Sequence, residues 1–214
     1  MQTLHLDHQP DQQDALAAAA AALRAGQVIV LPTDTVYGLA ALPGDADAVR
    51  RVYLAKGRPA GLPLPVLAGS LEQVRQLGVE YSAPARALAA HWWPGPLTMA
   101  FGFSPTAARP SWLSDREEVA VRIPRHAFLL ALLPVTGVLL VTSANPHGSV
   151  TAPTAEEAAS YLAPHVSLIV DGGVLDSTPS TLVNVRAGGA VIEREGAITA
   201  ADIAAALAEA NGAA

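Results

Sequence analysis

The chain has no cysteine, which excludes disulfides, thiolate catalysis and cysteine-ligated zinc. It also has no apolar run long enough to span a bilayer. The longest, Ala127 to Val141, is broken by Pro134 and Gly137 and reads as a helix followed by a strand. Residues 1–14 are polar and acidic and carry neither the basic nor the apolar region of a secretory signal, so no membrane partner and a cytoplasmic address are expected. The six histidines never fall in a His-Glu-x-x-His spacing, and none stands beside a serine in a nucleophile elbow. His126 and His147 are therefore read as surface or packing residues, and no protein-held metal is expected. Neither a Gly-x-x-x-x-Gly-Lys-Ser/Thr loop nor a Gly-x-Gly-x-x-Gly fingerprint is present. Positive charge is scarce as well, with 13 Lys and Arg against 19 Asp and Glu. That balance argues against a broad nucleic-acid-binding surface and leaves room for one basic cleft.

What is present is a hydrophobic, alanine-rich chain of 214 residues without repeats, enough for one substantial core. Short apolar runs at 28–31, 64–67, 97–103, 119–123, 138–142, 168–170, 182–185 and 191–193 read as strands. Helical segments lie between several of them, at about 45–55, towards His91, and at the alanine-rich stretches 15–25 and 200–210. Ser70 with Gln73 and Thr154 with Glu157 have capping-box spacing. The alternation indicates an α/β fold with a largely buried mixed sheet. Residues 103–118, with two prolines and several serines, read as a long surface loop.

Lys56 is the sole lysine, in Ala55-Lys56-Gly57-Arg58-Pro59. A solitary lysine among arginines suits a site that needs a compact ammonium. A helix ending in lysine, with glycine at C′ and proline beyond, explains the same letters.

Two polar clusters follow strand candidates: Pro32-Thr33-Asp34-Thr35-Val36-Tyr37-Gly38 and Thr142-Ser143-Ala144-Asn145-Pro146-His147-Gly148. Ligand sites in open α/β sheets gather beyond strand ends, and a helix starting after Pro32 would aim N–H groups at an anion. Capping by Thr33 or Thr35 and an Asn-Pro turn are the plainer readings. Arg122 lies inside an apolar strand, either facing solvent or holding a carboxylate or phosphate. Arg194, flanked by Glu193 and Glu195, either pairs with those neighbours or faces a ligand.

Read together, Pro32 to Leu39, Ala55 to Pro59, Pro94-Gly95-Pro96-Leu97-Thr98, Val119 to Pro124, Ser143-Ala144-Asn145 and Ser180-Thr181-Leu182-Val183 resemble the YrdC-like family of threonylcarbamoyl-AMP synthases, in the family's order. The resemblance implies one α/β domain over residues 1–214, with a core of about 12–197, a terminal helix of about 199–210, a twisted mixed sheet and a large concave cleft. It implies a nucleotidyltransferase that joins L-threonine, bicarbonate and ATP, releasing pyrophosphate, with Mg2+ carried on ATP. By position in the family motifs, Lys56, Arg58, Ser143 and Asn145 would be catalytic, holding carbamate and phosphates. Thr35, Arg122 and Ser180 would orient threonine, and Thr151 and Arg194 would contact nucleotide. The product would pass to tRNA threonylcarbamoyl transferase machinery, with weak binding of double-stranded RNA or tRNA as a further expectation. Leu62 and Leu67 stand where the family carries asparagine and histidine, and the chain is expected to be the short, single-domain form. A diverged carbamoyl or acyl hydrolase or transferase, and a noncatalytic RNA-binding module, are the competing readings.

Overall fold

A computed structural model describes residues 1–6, 9–59, 61–176 and 178–212. Among them, ten strands form one sheet: β1 (Gln2–His5), β2 (Ile29–Leu31), β3 (Gly38–Ala41), β4 (Val66–Leu67), β5 (Leu97–Phe101), β6 (Val119–Arg122), β7 (Leu139–Ser143), β8 (Leu168–Asp171), β9 (Thr181–Asn184) and β10 (Val191–Arg194). Their order is β1-β8-β2-β3-β7-β4-β6-β5-β9-β10. Parallel pairs (β1/β8, β2/β8, β4/β6, β5/β9) mix with antiparallel ones, as expected of a mixed sheet. The helices are α1 (Gln9–Arg24), α2 (Ala46–Lys56), α3 (Leu71–Arg75), α4 (Ala83–Trp92), α5 (Ala127–Thr136), α6 (Ala155–Leu162) and α7 (Ala200–Gly212).

Local chemistry fixes the helix ends. The Asp45 side chain accepts from the N–H of Ala48 at 2.8 Å and starts α2, and Gly57 ends it in the left-handed region at φ 59°. Ser70 accepts from the N–H of Gln73, but Gln73 returns its bond to the N–H of Gly69 rather than to that of Ser70. Pro134 sits inside the last turns of α5 without ending it, the helix stopping at Gly137.

Three expectations about secondary structure change. No helix follows β2. The hydroxyl of Thr33 accepts from the N–H groups of Thr35 and Val36 and donates to the carbonyl of Val36, so it caps a turn that leads straight into β3. β1 forms in the polar amino-terminal segment, because its backbone pairs with β8. Of the run 64–67 only Val66 and Leu67 pair as strand.

Two cores flank the sheet, and their extent creates the cleft. One packs α2, α3, α4, α6 and α7 against residues such as Val30, Val66, Met99, Val121 and Val183. The other packs Leu23 of α1 and Leu129, Leu132 and Leu133 of α5 against Ile29, Ala40, Leu139 and Val170. α1 and α5 cover their face only as far as β7 and β4. Over β6, β5 and β9 the same face carries Ala120, Arg122, Thr98, Ala100 and Leu182, and no helix among the described residues lies on it. That bare face is the floor of a cleft of about 450 Å³.

Candidate active site

The floor follows the strand register. Leu67 of β4 stands beside Arg122 of β6, Thr98 of β5 beside Leu182 of β9, and Leu182 beside Arg194 of β10. The Met99–Val121 pair puts Thr98 opposite Arg122, one step along β5 and β6. One transverse row of the sheet, Leu67-Arg122-Thr98-Leu182-Arg194, therefore crosses the cleft with all five side chains lining it. A second row adds Ala120 and Ala100, whose small side chains keep the floor open.

Arg122 is neither solvent-facing nor free. It is 5% exposed, and its guanidinium donates to Asp34 at 2.6 Å, to the Thr35 hydroxyl at 2.7 Å and to the Gly95 carbonyl at 2.9 Å. Burial lowers its pKa, with the Asp34 carboxylate opposing that shift. These three bonds use three of its five N–H donors and fix the fork towards the cleft.

At the far end of the row, Arg194 donates to the Ser180 carbonyl at 2.7 Å and to the Ser180 hydroxyl at 3.3 Å. It forms no ion pair with Glu193 or Glu195 among the described residues. Partial burial lowers its pKa. Ser180 is buried and shares a 2.8 Å hydroxyl–hydroxyl bond with Thr98.

Lys56 belongs to the buried stripe Ala48, Val52, Lys56 of α2, spaced i, i+4, i+8. Only 4% of it is exposed. The helix-stop reading holds, since Gly57 is the left-handed cap, and the ammonium has a second structural task. The ammonium crosses to β7 and donates to the carbonyls of Ser143 and Asn145, both at 2.5 Å, with the Asn145 side-chain oxygen at 3.4 Å. It stands behind the cleft wall rather than in its lining. Burial, assisted by the nearby Arg58, lowers its pKa to about 8.

Asn145 in turn donates through its amide to the carbonyls of Pro146 and Ser149, so the turn after β7 is pinned from both sides. Ser143, Asn145 and Thr151 line the cleft. Arg58 lines it too, while its guanidinium holds the carbonyls of Leu62 and Pro63 at 3.2 and 3.0 Å. His126 and His147 do not contribute to the lining. Among the described residues no group of three or more His, Asp or Glu gathers to hold a metal ion, and no helix is long and apolar enough to cross a membrane.

The site thus brings together eight of the nine residues singled out from sequence, with Lys56 immediately behind them. Sequence reasoning passed over Asp34, Thr98, Glu118 and Glu193. Asp34 and Thr98 sit inside motifs already quoted. Glu118 is legible only from its alternation with Ala120 and Arg122 along β6.

Comparison with known proteins gives the site its relatives. The family model Sua5_yciO_yrdC, described as "Telomere recombination", matches residues 21–196. The chain belongs to the Sua5/YciO/YrdC family. A threonylcarbamoyl-AMP synthase of Bacillus subtilis is 37% identical over 194 residues, covering 90% of this chain, which spans 56% of that relative. A putative threonylcarbamoyl-AMP synthase of Mycobacterium tuberculosis is 35% identical over 201 residues, with 91% of this chain and 90% of the relative covered. The crystal structure of P. abyssi Sua5 complexed with L-threonine superposes with a TM-score of 0.85 at 31% identity, over 97% of this chain and 61% of that one. Within the Sua5/YciO/YrdC family, then, the α/β fold with its mixed sheet is shared. Leu67 lines the cleft in this member, whereas Leu62 is 41% exposed and offers the site its carbonyl, through Arg58, and not its side chain.

Proposed function

We propose that this chain is a threonylcarbamoyl-AMP synthase, joining L-threonine, bicarbonate and ATP into threonylcarbamoyl adenylate with release of pyrophosphate. The observation that carries the reading is the row across the cleft, with Arg122 second from one end, Arg194 at the other, and the Ser143–Asn145 turn and Arg58 on the walls. A reaction that gathers a triphosphate, a carboxylate and bicarbonate must first overcome their mutual repulsion, and fixed cations lining the cleft lower that cost. The relatives at 35–37% identity bear the same activity in their names.

In this reading the threonine carboxylate lies against the free N–H groups of Arg122, oriented by Thr35 and Ser180. Carbon dioxide formed from bicarbonate with loss of hydroxide is attacked by the threonine amine, and the proton leaving the nitrogen combines with that hydroxide as water while the carbamate forms. A carbamate oxygen then attacks the α-phosphorus of ATP and pyrophosphate leaves. Arg58, Ser143 and Asn145 face the carbamate and phosphates, and Thr151 and Arg194 face the nucleotide. Lys56 acts from behind by holding the carbonyls of Ser143 and Asn145, so that their side chains meet the substrate already ordered. No covalent intermediate with the protein is required. Mg2+ would be held by the ATP phosphates and water and would neutralise part of the phosphate charge.

Transfer of the adenylate to tRNA threonylcarbamoyl transferase machinery, weak affinity for double-stranded RNA or tRNA, and a cytoplasmic location complete the proposal. Pyrophosphate release by purified protein, with threonine and bicarbonate omitted in turn, tests it. Release that requires both substrates supports the synthase. Release indifferent to both, or none with everything present, removes it.

A further inference from the structure

The cleft carries two carboxylates where a polyphosphate site calls for cations. Glu118 and Glu193 both line it, and each has one oxygen committed. Glu118 Oε2 accepts from Arg186 at 3.1 Å, the Nε of Arg186 donates to the side-chain oxygen of Asn184 at 3.2 Å, and the Asn184 amide donates to Glu193 Oε1 at 2.7 Å. The Asn184 oxygen also accepts from the N–H of Arg186 at 3.1 Å, so only its nitrogen is left to face Glu193. This chain of bonds sets the Glu193 carboxylate in one orientation. Its Oε2 has no protein donor among the described residues.

The backbone accounts for the placement of Glu193. Consecutive strand residues point to opposite faces, so Glu193 and Arg194 would ordinarily be separated by the sheet. Here Ile192 pairs with Val183 and Arg194 with Leu182, two steps on β10 for one on β9, and Glu193 is the extra residue of a β-bulge. The bulge re-aims it, and a carboxylate and a guanidinium adjacent in sequence face the same cleft.

From this pair we infer that Glu193 reads the ribose hydroxyls of the bound nucleotide while Arg194 takes its phosphate, so that the site selects ribonucleotides over 2′-deoxyribonucleotides. The inference rests on the nucleotide reading of the cleft and names the subsite within it. A guanidinium is the matched partner of a phosphate, and an ionised carboxylate only accepts, so it needs donors such as a vicinal pair of hydroxyls. A carboxylate gripping the ribose diol is a general solution for nucleotide recognition. The negative charge of Glu193 also keeps the phosphates from occupying the sugar's place, and the apolar floor of Ala100, Ala120 and Leu182 beside it suits the base. Sites built to bond a substrate hydroxyl discriminate strongly against the analogue that lacks it.

Calorimetric titration of the full chain with ATP and with 2′-deoxyATP, in the absence of threonine, tests this without turnover. Wild-type protein should bind 2′-deoxyATP about tenfold more weakly than ATP, the loss of one hydrogen bond to a charged acceptor. E193A should bind both nucleotides with one affinity, weaker than that of wild type for 2′-deoxyATP because the 3′-hydroxyl contact goes as well, bringing the ratio to about one, and N184A, which frees the carboxylate from its orienting donor, should give a ratio in between. Inorganic pyrophosphate should bind E193A at least as tightly as wild type, showing that the phosphate side is intact and the protein folded. Equal wild-type affinity for the two nucleotides, or a ratio that survives in E193A, overturns the inference while leaving the synthase reading standing. Absence of binding by either nucleotide overturns both. Discrimination without substrate-dependent pyrophosphate release removes the synthase reading alone.

Discussion

Arg122 and Asp34 form a 2.6 Å ion pair in which the two side chains are only 7% and 14% exposed. The pair is a holder as much as a bond, because Asp34 fixes one arm of the guanidinium while Gly95 and Thr35 fix the others. D34N should leave a buried cation uncompensated and cost about 3 kcal/mol in urea unfolding. A small anion in the cleft then has more to offer, so L-threonine should raise the melting temperature of D34N more than that of wild type. Equal shifts would mean that Arg122 does not meet the carboxylate.

Lys56 makes stability depend on pH in an unusual direction. Its folded pKa of about 8 lies below the ordinary lysine value of 10.5, so between those limits the unfolded chain holds a proton that the folded chain has released. Stability should therefore rise with pH across this window, by at most about 3 kcal/mol. Tyr37, whose burial raises its pKa, opposes the gain from about pH 10 upward, where the unfolded tyrosine ionises and the folded one does not. Denaturant titrations between pH 8 and 10 should show the rise in wild type and a flatter profile in K56M.

Gly196 approaches the Pro179–Ser180 backbone so closely that an added Cβ would clash with the carbonyl oxygens of Pro179 and Ser180. Backbone atoms cannot rotate aside as a side chain can. G196A should cost about 3 kcal/mol in thermal or urea unfolding. In the fraction that folds, displacement of Ser180 should weaken threonine and nucleotide together, measured as a parallel rise in both KM values.

Leu67 presents an apolar surface beside Arg122. L67H should place a hydrogen-bonding ring there, lowering the KM for threonine severalfold while leaving that for ATP near its wild-type value. The substitution should also cost about 1–2 kcal/mol, since Leu67 belongs to the α1/α5 core as well. Steady-state kinetics with each substrate varied in turn decide the point.

Much of this was legible because it is local. Asp45, Gly57 and the Ala48-Val52-Lys56 stripe specify α2 from within, and the apolar runs at β2, β5 and β8 announce strands. The unread parts depend on partners distant in sequence. Gly38-Leu39-Ala40-Ala41 has little strand character of its own and becomes β3 by lying between β2 and β7. β1 is polar and is held by β8. Lys56 finds its carbonyls 87 and 89 residues away. Glu193 faces the cleft because of a bulge, a one-residue irregularity that periodicity does not register.

The transverse row has one more consequence, for the size of what the cleft can hold. Arg122 and Arg194 stand on β6 and β10 with β5 and β9 between them, three interstrand steps and so about 14 Å between their backbones. Backbone hydrogen bonds set that interval, and side-chain substitution does not stretch it. The sheet works as a fixed gauge: it sets the interval between the two cations, and any change of that span has to come a whole strand at a time.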